Sequence, residues 1–235
     1  MTQDSWTPGR WIGGTAMVLG PLLLLTGTLL RLPFDFFFPH QLAAAAEHPA
    51  LMTAAYTAFL AGNVLMWPAV AALAARIGRT RPAWAAWGAI LVTVGLFART
   101  FHAGVDHAAF TVVRHQGKAA ATTFVSEGYQ DLHLFSYLSF TIMAGWLVLA
   151  VGAYRSGTLG LVRSIALATM SLLPLGVLKG AEPLSVVGTV GLCVAFVPAG
   201  MRLLRDGPRP SRRSVLLALP AALGLGALAV VSTLG

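Results

Sequence analysis

Charged residues are scarce in this sequence. Only 10% of the 235 residues are Asp, Glu, Lys or Arg, whereas about a quarter of the residues of a soluble globular domain carry charge. Hydrophobic residues make up 57% of the chain, and the mean hydropathy is +0.75. These values exclude an ordinary water-soluble domain and indicate an integral membrane protein.

Cysteine and acidic residues are also few. The single cysteine, Cys193, excludes a disulfide framework and a cysteine-based zinc site. The chain has 8 Asp and Glu against 16 Lys and Arg, a net charge of +8. In a membrane protein such an excess is typical of cytoplasmic loops that fix the orientation, and we therefore expect no nucleic-acid partner.

Long apolar runs dominate what remains. A membrane-spanning helix needs about 20 predominantly apolar residues, and breaks at charged or Pro/Gly-rich positions divide the chain into about seven such runs. We predict an all-α fold, a polytopic transmembrane helix bundle that forms a single domain over residues 1–235. The predicted spans are 11–30, 50–74, 83–101, 133–154, 159–178, 184–204 and 214–234.

The distribution of charge predicts the orientation. With the N-terminus inside and the C-terminus outside, eleven of the 16 Lys and Arg residues lie on the cytoplasmic side, as the positive-inside rule expects. The same arrangement places all 6 histidines on the outer side, together with most of the carboxylates. The rule does not concern His, Asp or Glu, so this second asymmetry indicates a polar, outward-facing region. We expect a multi-pass protein of the cell membrane, in contact with membrane lipid.

The third span carries a polar face near its outer end. Helical patterning continues from Trp84 to Val113, about 45 Å at 1.5 Å per residue, so this helix should project beyond the hydrocarbon. Arg99, His102 and Asp106 are spaced i, i+3, i+7 and share one face of it.

Further polar residues precede the fourth span. Glu127 and Asp131 are four residues apart, and His133 opens the apolar run. Because an arginine at membrane depth is costly unless it faces the bundle and pairs, we predict that Arg99 pairs with Asp131 or Glu127.

Three chemistries fit these residues. His102, Asp106 and His133 could bind a divalent metal such as zinc. Asp106, Asp131 or Glu127, with His102 as partner, could instead perform acid–base catalysis on a lipophilic substrate. His102 and His133, facing each other across two helices, could hold a heme or a quinone. A structural interpretation stays open beside them, in which these groups only solvate the outer rim.

The segment Gly145-Trp-Leu-Val-Leu-Ala-Val-Gly-Ala-Tyr-Arg-Ser-Gly-Thr-Leu159 and the His48-Pro49 step before the second span resemble a large group of small multi-pass membrane proteins from GC-rich bacteria. The preference for Arg over Lys is typical of such genomes. The resemblance implies a polytopic membrane fold and no particular activity.

The sequence thus predicts an outward-facing His/carboxylate pocket that acts on a lipophilic small molecule, as an acid–base or metal-dependent membrane enzyme. The alternatives are a non-catalytic accessory, immunity or transport protein, and a heme- or quinone-binding protein. The sequence leaves the ligand and the oligomeric state open.

Overall fold

The computed structural model describes residues 9–130 and 133–206, together with eight positions beyond residue 206. The chain divides into two compact units, Met1–Leu204 and Arg205–Gly235. In the second unit, the described positions beyond residue 206 are helical. Most of the predicted span 214–234 lies outside the described residues, and so does Asp131.

The structure is 85% helix, and the described residues form no strand. Among the described residues, five helical stretches are long and apolar enough to span a membrane: Arg10–Arg31, Pro49–Gly78, Pro82–Gln116, Leu134–Arg155 and Pro183–Arg205. This confirms the predicted all-helical, multi-pass character. The helices are α1 (Arg10–Arg31), α2 (Phe38–Glu47), α3 (Pro49–Gly78), α4 (Pro82–Gln116), α5 (Lys118–Gln130), α6 (Leu134–Leu138), α7 (Thr141–Arg155), α8 (Leu161–Ala168) and α9 (Pro183–Arg205).

Local sequence accounts for several helix ends. Pro49 and Pro82 stand at the first position of α3 and α4, where proline lacks only an N–H that has no helical partner. Gly117 ends α4 with a φ of 89°, a conformation that favours glycine. The result is a helix of 35 residues that contains the whole predicted stretch from Trp84 to Val113.

Glycines bring the long helices into close contact. A Cβ on Gly27 of α1 would lie 2.6 Å from the carbonyl oxygen of Ala55 on α3. A Cβ on Gly145 of α7 would lie 2.5 Å from the backbone nitrogen of Val92 on α4. Only hydrogen fits in such space, and small residues of this kind are the usual contact between membrane helices.

These contacts also fix the helix directions. Arg10, at the start of α1, contacts the carbonyl of Leu204, near the end of α9; we call this end of the bundle the Arg10 side and the opposite end the Arg31 side. Because α9 ends beside Arg10, it runs from the Arg31 side to the Arg10 side. The same direction holds for α7, which packs antiparallel to α4. The chain between them must therefore cross the bundle in the opposite direction.

That crossing is only partly helical. After α8, a 3-10 turn continues to Leu172, and residues 173–182 then follow an irregular path with no helix or strand. The continuous span predicted over 159–178 is therefore wrong. Pro174 cannot donate to a helical hydrogen bond, and Gly176 and Leu178 have φ angles of 118° and 48°, which no right-handed helix contains.

Candidate functional site

The irregular segment 173–182 lies against the Arg31-side ends of α1, α3, α4 and α5. Leu173, Leu178 and Ala181 are buried, so much of this backbone is removed from solvent. Outside a helix each buried N–H and C=O needs another partner, and at membrane depth water does not supply one. Most of the partners are polar side chains of the surrounding helices, and the N–H of Gly180 donates to the backbone carbonyl of Phe36 at 2.8 Å.

Two arginines bind carbonyl groups of the segment. Nη2 of Arg99 donates to the carbonyl oxygens of Leu173, at 3.3 Å, and Pro174, at 3.2 Å. Nη1 of Arg31 donates to the carbonyl of Lys179 at 3.0 Å, while its Nε donates to Gly27 within α1. Both guanidinium groups thus point into the bundle.

Asp106 and Tyr129 hold the turn between these two points. The carboxylate of Asp106 accepts the backbone N–H of Leu178 at 2.6 Å, at the residue whose φ is positive. The hydroxyl of Tyr129 donates to the carbonyl of Val177. Burial raises the pKa of Tyr129 to about 12, so the phenol keeps its proton at neutral pH. Arg31, Arg99, Asp106 and Tyr129 are called the anchoring residues below.

A small polar cavity of about 50 Å³ lies beside the anchoring residues. Two polar atoms there are buried without a hydrogen-bond partner, the Oδ1 of Asn63 and the Nε of Arg99. The residues with charged or polar side chains that line it include Arg31, Asn63, Arg99, His102, Asp106 and Lys179.

A larger cavity of about 430 Å³ adjoins it, between α4, α5, α6 and the irregular segment. Its wall is mostly apolar and aromatic, and Phe140 on that wall is 65% exposed, so the cavity opens to the surface of the bundle. His102 and Gly176 line both cavities. The other residues that line the larger cavity are Phe101, Val105, Phe124, Val125, Gly128, Tyr129, His133, Ser136, Ser139, Phe140, Leu175 and Val177.

The predicted polar face of α4 points into this region. His102 and Asp106 are 8% and 7% exposed, so they are buried in the bundle and do not solvate its rim. His133 lies across the larger cavity, where its ring packs against Phe101 with centroids 5.1 Å apart. Within the described part of the chain, no group of three His, Cys, Asp or Glu side chains is arranged to hold a metal ion.

Arg99 does not pair with the carboxylate that the sequence predicted. Glu127 is exposed on α5 and does not pair with Arg99, which bonds to backbone carbonyls instead. Asp131, the other predicted partner and a predicted catalytic residue, lies outside the described residues. Over 9–130 and 133–206 the one contact within ion-pair distance joins the Nδ1 of His40 and a carboxylate oxygen of Asp35, at 3.4 Å.

Sequence reasoning missed Arg31 and Tyr129. Each sits alone in its own stretch of sequence and shares no helical spacing with the α4 residues. The sequence did contain one indication that such residues exist. Pro174 and Gly176 interrupt the predicted fifth span, and the backbone of an interrupted span needs hydrogen-bond partners from other helices.

Comparison with protein-family models, curated proteins and solved structures finds no match to this chain.

Proposed function

We propose that this protein is a multi-pass protein of the cell membrane that binds a lipophilic small molecule in the larger cavity. The observation that carries the proposal is the cavity itself, about 430 Å³ in volume, within the range of about 300–1,000 Å³ typical of small-molecule sites. Its aromatic wall suits an apolar body, and His102 and His133 offer polar contacts. Such a mostly apolar lining with a few convergent polar groups is the usual form of a ligand site.

The opening of the cavity favours entry from the lipid. Phe101 on α4 and Phe124 on α5 belong to its wall and are 40% and 43% exposed, so aromatic side chains flank the opening. We place the N-terminus in the cytoplasm because most Lys and Arg residues then face inward. In that orientation the cavity belongs to the outer half of the bundle, and its ligand enters from the outer leaflet.

Gly128 provides the test, because it lines the larger cavity and a Cβ there would meet nothing within 4 Å. Gly128→Leu should fill the cavity without displacing its walls. A diazirine analogue of hexadecanol in lipid nanodiscs is the probe, and mass spectrometry of labelled peptides is the readout. We expect labelling of the cavity wall in the wild type, competed by unlabelled hexadecanol, and a several-fold loss in Gly128→Leu.

Gly104→Leu is the matched control. A Cβ on Gly104 would also meet nothing within 4 Å, but this glycine does not line the larger cavity. Labelling should stay at the wild-type level in this variant. Equal labelling of both variants would show that the probe binds elsewhere and would refute the proposal.

A second candidate function is acid–base catalysis on the same molecule. It is favoured by His102, whose ring has no hydrogen-bond partner among residues 9–130 and 133–206 and lies where the two cavities meet. A general base must reach the substrate with a free ring nitrogen. Asp106 by contrast is held by Leu178 and acts as a positioning group. His102→Ala should then abolish turnover of the ligand while labelling by the probe persists.

The metal hypothesis has its own test. The described residues contain no group of three such ligands arranged for a metal ion, so zinc at His102, Asp106 and His133 stays a prediction from the sequence. It predicts near-stoichiometric metal in the purified protein, and loss of that metal in His133→Ala. A blank metal analysis would leave the binding function in place and remove the metal-dependent reaction.

A further inference from the structure

The charges around the small cavity do not balance. Arg31, Arg99 and Lys179 line it. The Nζ of Lys179 lies over three aromatic rings at 5.2–5.5 Å, and the guanidinium of Arg31 lies over two others at 4.4 and 4.7 Å. Asp106 is the one carboxylate among the lining residues that the structure describes. Neither arginine forms an ion pair with any described residue. Cations at membrane depth normally pair with an anion or face water, so the cavity has a deficit of negative charge.

The irregular segment does not by itself explain these arginines. The carbonyl of Val177 accepts its hydrogen bond from a neutral phenol, that of Tyr129. A tyrosine, asparagine or glutamine donor thus suffices for a backbone oxygen and adds no charge. Two guanidinium groups that repel each other cost more free energy than neutral donors to the same carbonyls. We therefore expect their charge to serve a further interaction.

Two of the residues that line the small cavity have a buried polar atom without a hydrogen-bond partner. The Nε–H of Arg99 is a buried donor without an acceptor. The amide of Asn63 uses its Nδ2 on Leu96 and Thr100, at 3.2 and 2.9 Å, and leaves its Oδ1 without a donor. An oxyacid group such as a carboxylate or phosphate is the usual partner of a guanidinium, and a protonated oxygen or a bound water would serve Asn63.

The available space suits one such group. A buried water needs about 10–15 Å³, so a cavity of about 50 Å³ holds a few waters or a single small head group. An extended apolar body does not fit there. His102 and Gly176 line both cavities, so the two cavities are adjacent at these residues, and a molecule that filled both would pass between them.

We propose that the ligand is an anionic amphiphile, whose apolar tail lies in the larger cavity and whose carboxylate or phosphate head group binds Arg99 and Arg31 in the small one. This inference rests on the proposed function, because it takes the lipophilic molecule as given and names its polar end. His102 stands at the junction, beside the bonds that join head group and tail.

The experiment compares molecules that share one tail. Hexadecanol, hexadecanoic acid and hexadecyl phosphate compete with the diazirine probe on the full-length protein in nanodiscs of neutral lipid, and acetate and inorganic phosphate are the tail-free competitors. We expect both anionic amphiphiles to compete at concentrations at least about tenfold below that of hexadecanol, as a charge-assisted hydrogen bond implies. Acetate and inorganic phosphate should not displace the probe.

Arg99→Gln keeps a donor for the two carbonyls and removes the charge. It should lower the apparent affinity for hexadecanoic acid and hexadecyl phosphate to that for hexadecanol, which should itself change little. Arg114→Gln, at an exposed position of the same helix, should retain the full advantage of the anionic amphiphiles. The wild-type comparison needs no variant and decides the matter even where Arg99→Gln fails to fold.

Each contrary outcome has a distinct meaning. Equal competition by hexadecanol and the two anionic amphiphiles in the wild type overturns the head-group assignment and leaves the proposed cavity intact. Displacement by inorganic phosphate as effective as that by hexadecyl phosphate also overturns it, in favour of a site for a free ion. Absence of competition by every amphiphile, hexadecanol included, defeats the proposed function together with this inference.

Discussion

The glycine-lined helix interfaces and the irregular segment 173–182 satisfy the hydrogen bonds of their buried backbone in opposite ways. Where α4 packs on α7, each helix satisfies its own backbone, and the contact needs only small residues such as Gly95 and Gly145. At residues 173–182 the backbone has no internal partners, and the surrounding helices supply buried polar side chains. The second arrangement costs more, but it places charged groups and cavities inside the bundle.

The difference explains where a function can reside. A helix interface closed by glycine leaves no room for a ligand and no free donor. A non-helical segment in a membrane protein is tolerated where it is buried in protein or lines a cavity, and the anchoring residues that it requires also define a polar site. The helix interfaces therefore determine stability, and the irregular segment determines the site.

The largest expected effect is all-or-none and concerns the side of the membrane on which the irregular segment 173–182 lies. Topology reporters fused after Arg79 should read cytoplasmic, and reporters fused near Lys118 or at the C-terminus should read external, because the excess of Lys and Arg holds its loops inside. Enzymatic reporters active on one side only make the measurement. The reverse pattern would place the site in the inner half of the membrane, and a cytoplasmic C-terminus would rule out the seven-span interpretation.

A leucine at a glycine contact should cause the largest loss of stability. In Gly95→Leu the new Cβ would overlap the backbone and Cβ of Ile142, and overpacking of this kind costs about 1–3 kcal/mol or more when backbone must shift. Thermal unfolding in detergent should show a clear fall in Tm. Gly104→Leu on the same helix, with nothing within 4 Å of the new Cβ, should leave Tm almost unchanged, and equal Tm values would remove the basis of the comparison.

A smaller loss is expected at the irregular segment. Asp106→Ala leaves the buried N–H of Leu178 without its acceptor, at a cost of about 1–3 kcal/mol. Asp106→Asn keeps an acceptor oxygen and should retain most of that stability. Denaturation of the two variants beside Glu127→Ala, at an exposed position, makes the test, and a loss in Glu127→Ala as large as in Asp106→Ala would contradict the assignment.

The smallest effect concerns a single neutral bond. Tyr129→Phe removes the hydroxyl that donates to Val177, which should cost about 0.5–1.5 kcal/mol. Tyr137→Phe is the matched control, since Tyr137 is 62% exposed and no described residue bonds to its hydroxyl. Indistinguishable unfolding curves for the two variants would mean that the segment does not depend on Tyr129.

Hydropathy and helical periodicity predicted much of the fold correctly. The apolar runs predicted five long helices that the structure contains, and the continuity of α4 beyond Phe101 followed from its pattern. The spacing of His102 and Asp106 placed them on one face of the helix, and the structure shows that this face is buried. The continuous span at 159–178 was wrong because hydropathy measures apolar content, and a half-helix followed by an irregular segment is as apolar as a helix.

The sequence by itself determined the helical membrane class, the approximate ends of the long helices and the polar face of α4, because each depends on residues that are close together in the chain. Only the tertiary structure decided that Arg99 binds carbonyls of residues 173–182, that Arg31 and Asn63 join it, and that two cavities meet at His102. These contacts join residues far apart in sequence across distances of a single hydrogen bond. No local pattern encodes them, because they arise only when the helices pack.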